Sequence, residues 1–248
     1  MKQFEDLGQM EIFPITIGQY RLTNYDKIRA GLINTINQER KNNKGVTISN
    51  YGGWQSDKDL FERDIESIRM FKDALTETCI DFLSKVHSIN VSKNDFEFDI
   101  WANVNVKGNS NLSHDHTANN NHWSGVFYLE TSNDASVRGN TIFEDRHYAS
   151  SGVTTNRMPM LKNGLPREEQ MVPEAGKLIF FPGTLWHRVE EYKGDDERIT
   201  IAYNFRVPKL ENYDFDAAKK SSAFKNFMWY NFRGVMRLLA FVKNKVGF

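Results

Sequence analysis

The chain has one cysteine, six prolines, no excess of charge of either sign, and no apolar run of the roughly 18 residues that a membrane-spanning helix needs. The lone thiol, Cys79, excludes an internal disulfide. It sits in an apolar helical stripe and reads as a small buried hydrophobe rather than a nucleophile. Lys and Arg number 32 and Asp and Glu also 32, so no global field draws the chain to nucleic acid or to a membrane surface. The opening MKQFEDLGQMEIFPITIG carries acids and no sustained apolar core, which is not the pattern of a secretory leader. A reducing, cytoplasmic setting is expected.

What the sequence does have is 248 residues, enough for one substantial core, and many aromatics, with 18 Phe, 9 Tyr and 5 Trp. Aromatic side chains suit strand surfaces and wide β interiors. Residues 10–18 read as a short strand. Thr23 or Asn24 is placed to cap a helix through about residue 38, and Asn42 to Trp54 reads as a loop or short strand. Between 58 and 88, Phe61, Ile65, Ile68, Phe71, Leu75, Cys79, Phe82 and Val86 recur three or four apart, which predicts a long helix covering a sheet.

After Asn94 the period changes to two. Phe96, Phe98, Ile100, Ala102, Val104 and Val106 alternate with Glu97, Asp99, Trp101, Asn103 and Asn105, a long strand with two distinct faces. Further strands are expected near 123–130, 140–144, 177–182 and 197–207, separated by turn signals such as Ser132-Asn133-Asp134 and Lys193-Gly194-Asp195. Many spaced strands with short turns and helical backing predict a mainly β barrel or sandwich. With no repeat and no linker, residues 1–248 are expected to form a single domain: residues 1–94 as helical and strand support, and a tail over 215–248. From Ala217 onward that tail has seven Lys or Arg and no acid, among Phe224, Phe227, Trp229, Leu238 and Phe241. Helices packed on the domain, a contact surface joining subunits into a homo-oligomer, and a helix on a membrane surface all fit this pattern.

Six histidines are present, and two of them, His114 and His116, stand two apart in NLSHDHTANNN. On a strand, period two puts both imidazoles on one face and turns Asp115 away. A third nitrogen must come from elsewhere, and His187 is the best candidate, since it follows the apolar strand KLIFFP and a turn at Pro182-Gly183. Nitrogen ligands suit iron, nickel, copper or zinc. Glu144 or Asp145 would enter the ligand set only in a different strand register. In ERITIAYNF, Arg198, Thr200, Ala202, Asn204 and Arg206 share one strand face. An Arg there can set its fork on a carboxylate inside a barrel, the plain alternative being a surface Arg.

The ordered set WANVN, HDH, SGVFYLE, GNTIFED, PEAGKLIFFPGTLWHRV and ERITIAYNF, over roughly residues 95–207, resembles the Fe(II)/2-oxoglutarate-dependent dioxygenases. The likeness is to the putative 2OG-Fe(II) oxygenases with a His-x-His motif and, more distantly, to prolyl hydroxylases. It implies a double-stranded β-helix, the jelly roll of cupin-like proteins, over 95–207. It implies Fe(II) as metal and 2-oxoglutarate as a small-molecule cosubstrate, with succinate and CO2 released as an organic substrate is hydroxylated. His114, His116 and His187 then hold the metal. Arg198, eleven residues after His187, takes the distal carboxylate, with Tyr128 and Asn204 beside the cosubstrate. The family more often has an acid where His116 stands. With no anionic ligand, the ion keeps its full double charge before 2-oxoglutarate arrives.

Trp101, Asn103 and Arg206 are candidates for substrate contact, Trp101 having a barrel-capping role as the alternative. Asn119 to His122 form a polar loop, either lid or plain surface, and His147 lines the pocket mouth or lies on the surface. Two other functions compete with the enzyme. One is a non-catalytic barrel that binds a metal or a small acid; the other is an interaction protein docking through its tail. Inward His and Arg on strands argue against the last, because buried polar groups need partners.

Overall fold

The computed structural model describes residues 15–87, 89–118, 121–145 and 168–210. Two helices, α1 (Tyr25–Asn42) and α2 (Glu66–His87), accompany eleven strands: β1 (Gly18–Arg21), β2 (Asn50–Tyr51), β3 (Trp54–Gln55), β4 (Glu97–Asn105), β5 (Ser110–His114), β6 (Trp123–Glu130), β7 (Thr141–Glu144), β8 (Glu168–Met171), β9 (Lys177–Pro182), β10 (His187–Val189) and β11 (Arg198–Arg206). They form a six-stranded sheet in the order β1-β9-β6-β11-β4-β3 and a five-stranded sheet in the order β2-β5-β10-β7-β8. Among the described residues these remain two sheets and no closed barrel. No helix of the described residues is long and apolar enough to cross a membrane.

By contacts the chain divides into two compact units, Met1–Lys72 with Phe98–Arg206, and Asp73–Glu97 with Val207–Phe248. In the second unit Leu75, Cys79, Phe82 and Leu83 are buried along α2. Ser92 and Asp95 make a reciprocal capping box on the turn that follows. The tail over 215–248, with its proposed role in subunit contact, lies outside the described residues, as do His147 and most of the expected strand over 10–18.

In the first unit, the sheet's architecture follows from alternation. Phe98 on β4 packs its ring 5.9 Å from Phe205 on β11. Directly opposed residues share a face, so Tyr128 lies on the side of Thr200, and Ser124 on the side of Asn204. One face therefore collects Phe127, Phe180, Tyr203 and Phe205. Helix α1, with Ile28, Leu32 and Ile36 buried at helical spacing, lies on that face. Its Tyr25 ring stands 6.4 Å from Phe127 and its hydroxyl donates to the Leu129 carbonyl at 2.8 Å. The first turns of α2 add Phe71, 5.3 Å from Phe127. The Tyr203 hydroxyl passes over β6 and donates to the Ile179 carbonyl at 2.7 Å. It can do so because residue 125 is Gly: a Cβ there would stand 2.2 Å from that hydroxyl. The opposite face turns to the second sheet, where the Tyr128 hydroxyl meets Thr141 Oγ1 at 2.9 Å and Phe181 packs 5.1 Å from Phe143.

The single helix expected over 58–88 is broken. Lys58–Glu62 is a 3-10 turn, Arg63 is extended (φ −74°, ψ 143°), and α2 starts at Glu66. Leu60 and Phe61 are fully buried by that break, and the Arg63 guanidinium donates to Glu39 of α1 at 2.6 Å. Burial and ion pairing outweigh local helical propensity here. Helix α1 runs past the expected end near residue 38, to Asn42, and the Asn43 amide closes it on the Glu39 carbonyl at 2.8 Å.

Candidate metal centre

Strand β5 ends at His114, and His187 opens β10 directly opposite it. The register shifts once along this pair, a bulge between the His187 and Val189 positions. Strand β10 is only three residues long but central, bonded to β5 on one side and to β7 on the other. His116 lies beyond the strand. It is placed by its own amide, which donates to the Gly183 carbonyl at 2.8 Å. Strand alternation, which pictured both residues on one strand, is thus not what aligns them; a turn-to-turn hydrogen bond does that. Asp115 points away, accepting from the Thr117 hydroxyl at 2.9 Å.

The three imidazoles converge. Ring centroids are 4.9 Å apart for His114 and His116, 4.5 Å for His114 and His187, and 5.0 Å for His116 and His187. One ligand atom from each lies within 4.8 Å of the others. His114 Nδ1 donates to the Leu112 carbonyl at 2.7 Å and His187 Nδ1 to the Leu185 carbonyl at 2.9 Å. That fixes both tautomers and leaves each Nε2 lone pair free, the orientation metal-binding histidines need. His116 Nε2 stands 3.3 Å from His187 Nε2. Two nitrogens about 2.1 Å from one ion, at angles between square and tetrahedral, would be about 3 to 3.4 Å apart.

Burial keeps these rings neutral. Desolvation, then the neighbouring His187 and His114, pulls His116 down to about 2. Desolvation and His114 bring His187 to about 4, and burial lowers His114 as well. Neutral imidazole is the ligating form. No carboxylate belongs to the cluster among the described residues. Glu144 instead accepts from Ser113 at 2.7 Å and pairs with Arg188 at 3.2 Å. Three convergent, uncharged nitrogen donors, two of them fixed by carbonyls, fit a divalent transition ion, and the donor set suits Fe(II) among others.

The rest of the candidate set spreads around this centre. Arg198, at the start of β11, is 2% exposed, and its Nε has no hydrogen-bond partner among the described residues. Its guanidinium carbon lies 5.7 Å from the Tyr128 ring centroid. No ion pair joins Arg198 to a carboxylate among the described residues, and burial lowers its proton affinity. Tyr128 belongs to an apolar cluster with Phe143, Ile179 and Phe181, and the last of these stands 4.7 Å from His187. An unbroken set of contacts thus runs from the imidazoles to the guanidinium. Asn204 accepts from Ser124 at 2.9 Å, six residues along the strand from Arg198. The Trp101 ring is 6.0 Å from His116, Asn103 is 8% exposed, and Arg206 is half-buried at the end of β11. Phe143, Phe181 and Thr141 were not singled out by sequence reasoning, although each lies in a segment whose pattern did mark a strand.

Residues 99–204 match the family model described as putative 2OG-Fe(II) oxygenase. Over those residues the chain is similar to the Fe(II)/2-oxoglutarate-dependent oxygenases, and its three-histidine cluster resembles the His-x-His motif seen there. The fold is similar to that of a prolyl-4-hydroxylase from Pseudomonas putida, with TM-score 0.52 and 17% identity over 77% of this chain and 91% of that one. A prolyl hydroxylase from Trichoplax adhaerens, solved with a hypoxia inducible factor peptide fragment, has TM-score 0.55 at 10% identity over 79% and 88%. HygX from Streptomyces hygroscopicus, solved with nickel and 2-oxoglutarate, has TM-score 0.50 at 9% identity over 76% and 81%. At these identities the likeness speaks to fold alone. No curated protein sequence matches the chain.

Proposed function

We propose that this protein is an Fe(II)- and 2-oxoglutarate-dependent dioxygenase that hydroxylates an organic substrate, releasing succinate and CO2. Residues 95–207 are then its double-stranded β-helix, with the two sheets as its halves. The observation that carries the reading is a pair of incomplete sites joined by one apolar wall: three convergent neutral imidazoles, and a buried guanidinium that meets no acid among the described residues. A buried cation without a counter-charge is costly. A dicarboxylate that reaches from the imidazoles to Arg198 removes that cost. Prolyl hydroxylases and a nickel- and 2-oxoglutarate-bound protein among the structures of similar fold support the same assignment.

In this reading His114, His116 and His187 hold the iron, which when bound supplies the oxygen-activating chemistry. The chain does the rest. The Leu112 and Leu185 carbonyls lock two ligand tautomers. Arg198 binds the distal carboxylate with two parallel donors. Tyr128, Phe143 and Phe181 keep water from the space between. Trp101, against His116, is placed to meet the substrate. Asn204, tied to Ser124, stiffens the strand that carries Arg198.

The test is the dissociation constant for 2-oxoglutarate, measured anaerobically with iron present. Arg198→Ala should raise it roughly thirtyfold or more, the equivalent of about 2–5 kcal/mol for a buried acid left without its partner. Arg198→Lys should fall between, restoring charge but not the fork. Equal constants for all three proteins would remove the anchor. Iron binding without 2-oxoglutarate binding in the wild type would make the chain a non-catalytic metal-binding barrel.

A further inference from the structure

The acid-binding end of the site holds a second set of unsatisfied groups. Asn105 is 1% exposed, and neither its Oδ1 nor its Nδ2 has a hydrogen-bond partner among the described residues; Asn103, 8% exposed, has none there for its Oδ1. Buried amides are almost always satisfied, because an orphaned one loses its hydration with nothing in return. Two such residues in succession on one strand face are not explained by packing.

Their position follows from contacts at the two ends of neighbouring strands. Strands β4 and β11 are adjacent in the sheet. Near the start of β4, Phe98 meets Phe205, near the end of β11. Beyond the end of β4, Gly108 donates its amide to the Tyr192 carbonyl at 2.8 Å, and the Tyr192 amide donates to the Asn109 carbonyl at 2.8 Å. Tyr192 lies just ahead of β11. The two strands are therefore antiparallel, and the end of β4 lies beside the start of β11. Phe98 and Phe205 share the aromatic face. By alternation Trp101, Asn103 and Asn105 share the other face with Arg198, Thr200 and Asn204. Asn105 lies seven positions after Phe98 and Arg198 seven before Phe205, so both lie toward the same end of the sheet. Trp101, two steps back from Asn103, is the residue that reaches His116.

We propose that Asn105 is a specificity-determining residue of the cosubstrate site. Its side-chain amide donates to the distal carboxylate beside Arg198, and Asn103 lines the path between that seat and the imidazoles. This rests on the reading of the chain as a 2-oxoglutarate-dependent oxygenase. A neutral amide suits the role: it adds a donor to the seat without a second positive charge, so the seat is matched to one carboxylate. The orphaned Arg198 Nε and Asn105 Nδ2 are then satisfied together by one group.

The experiment uses the full chain loaded with Ni(II), titrated calorimetrically with 2-oxoglutarate and, separately, with 2-oxobutyrate, which keeps the keto acid and lacks the distal carboxylate. Asn105→Asp, nearly isosteric, sets a carboxylate against a carboxylate, and Asn105→Leu removes the donor. Both should weaken 2-oxoglutarate binding at least about tenfold, with nickel affinity and the weaker 2-oxobutyrate binding unchanged. Asn105→Leu should also raise the melting temperature of the metal-free protein, because it removes an unsatisfied buried amide. Wild-type 2-oxoglutarate affinity in both variants, while Arg198→Ala is weakened, overturns the role of Asn105 and leaves the proposed function standing. Melting temperatures that fall in both variants assign Asn105 to structure and overturn it too. No 2-oxoglutarate binding by the wild type removes the proposed function and this role with it.

Discussion

The two faces of the six-stranded sheet carry opposite kinds of residue on the same strands. On β11 the helix-side face has Ile199, Ile201, Tyr203 and Phe205; the other has Arg198, Thr200, Ala202 and Asn204. On the helix side, Phe180 packs edge-on against Tyr203 and Phe205, at 5.6 and 6.0 Å. There apolar contact dominates, and the buried Tyr203 hydroxyl has its acceptor in the Ile179 carbonyl. On the inner side, hydroxyls, amides, a guanidinium and imidazoles are buried, and several lack partners. Burial on one face lowers the free energy of the fold; on the other it raises it, in places that face one another. The difference separates the part of the sequence that holds the chain together from the part that is held ready for something else.

The contrast can be broken most sharply opposite the inner face, on the five-stranded sheet. His187→Ala should abolish Ni(II) or Fe(II) binding, a loss of well over about 100-fold for removal of one of three ligands. The metal-free melting temperature should hardly fall, because a desolvated ring is lost with it. A titration and a thermal melt of the same preparation decide this, and a destabilised variant that still binds metal would reverse the roles assigned to the faces.

Phe127→Ala on the helix side should do the opposite. Phe127 is fully buried between Tyr25 and Phe71, and its truncation should cost about 3–5 kcal/mol in denaturant unfolding. Metal affinity of the fraction that remains folded should stay at the wild-type value.

The smallest effect is one of pH. His187 and His116 are held below the ordinary imidazole value, so the unfolded chain takes up protons before the folded one does. Stability of the metal-free protein is thus fully present above about pH 6.5 and is lost progressively as pH falls, through about 4 for His187 and on toward about 2 for His116. Bound Ni(II) should flatten that slope, since ligated imidazoles resist protonation. Melting temperatures between pH 7 and 5, with and without the ion, check the sign.

Much of the helix-side face could be read from the sequence. Alternation from Phe96 to Val106 marks β4 within one residue at either end, and the stripe from Ile68 to Phe82 marks α2. Such patterns are local. Strand β10 was invisible for the opposite reason: three residues, His187–Val189, have no period of their own and become a strand only between β5 and β7. The register that sets His187 opposite His114 joins positions far apart in sequence, which no local pattern records. The break at Arg63 is of the same kind, decided by Glu39 on another helix. The row Trp101, Asn103, Asn105 was legible as a polar face, but that Asn105 lacks partners is a fact of packing alone.

The Tyr203 hydroxyl that spans β6 to reach Ile179, and the glycine it passes over, bear on how this sequence can change over time. Neither position can drift by itself. Any side chain at 125 would strike the phenol, and losing the phenol would leave the Ile179 carbonyl without that donor. A lineage that abandoned the pair would have to alter both ends within a short interval, through a weakened intermediate. The crossing therefore ties two distant positions to each other and to the β9-β6-β11 order that brings them together.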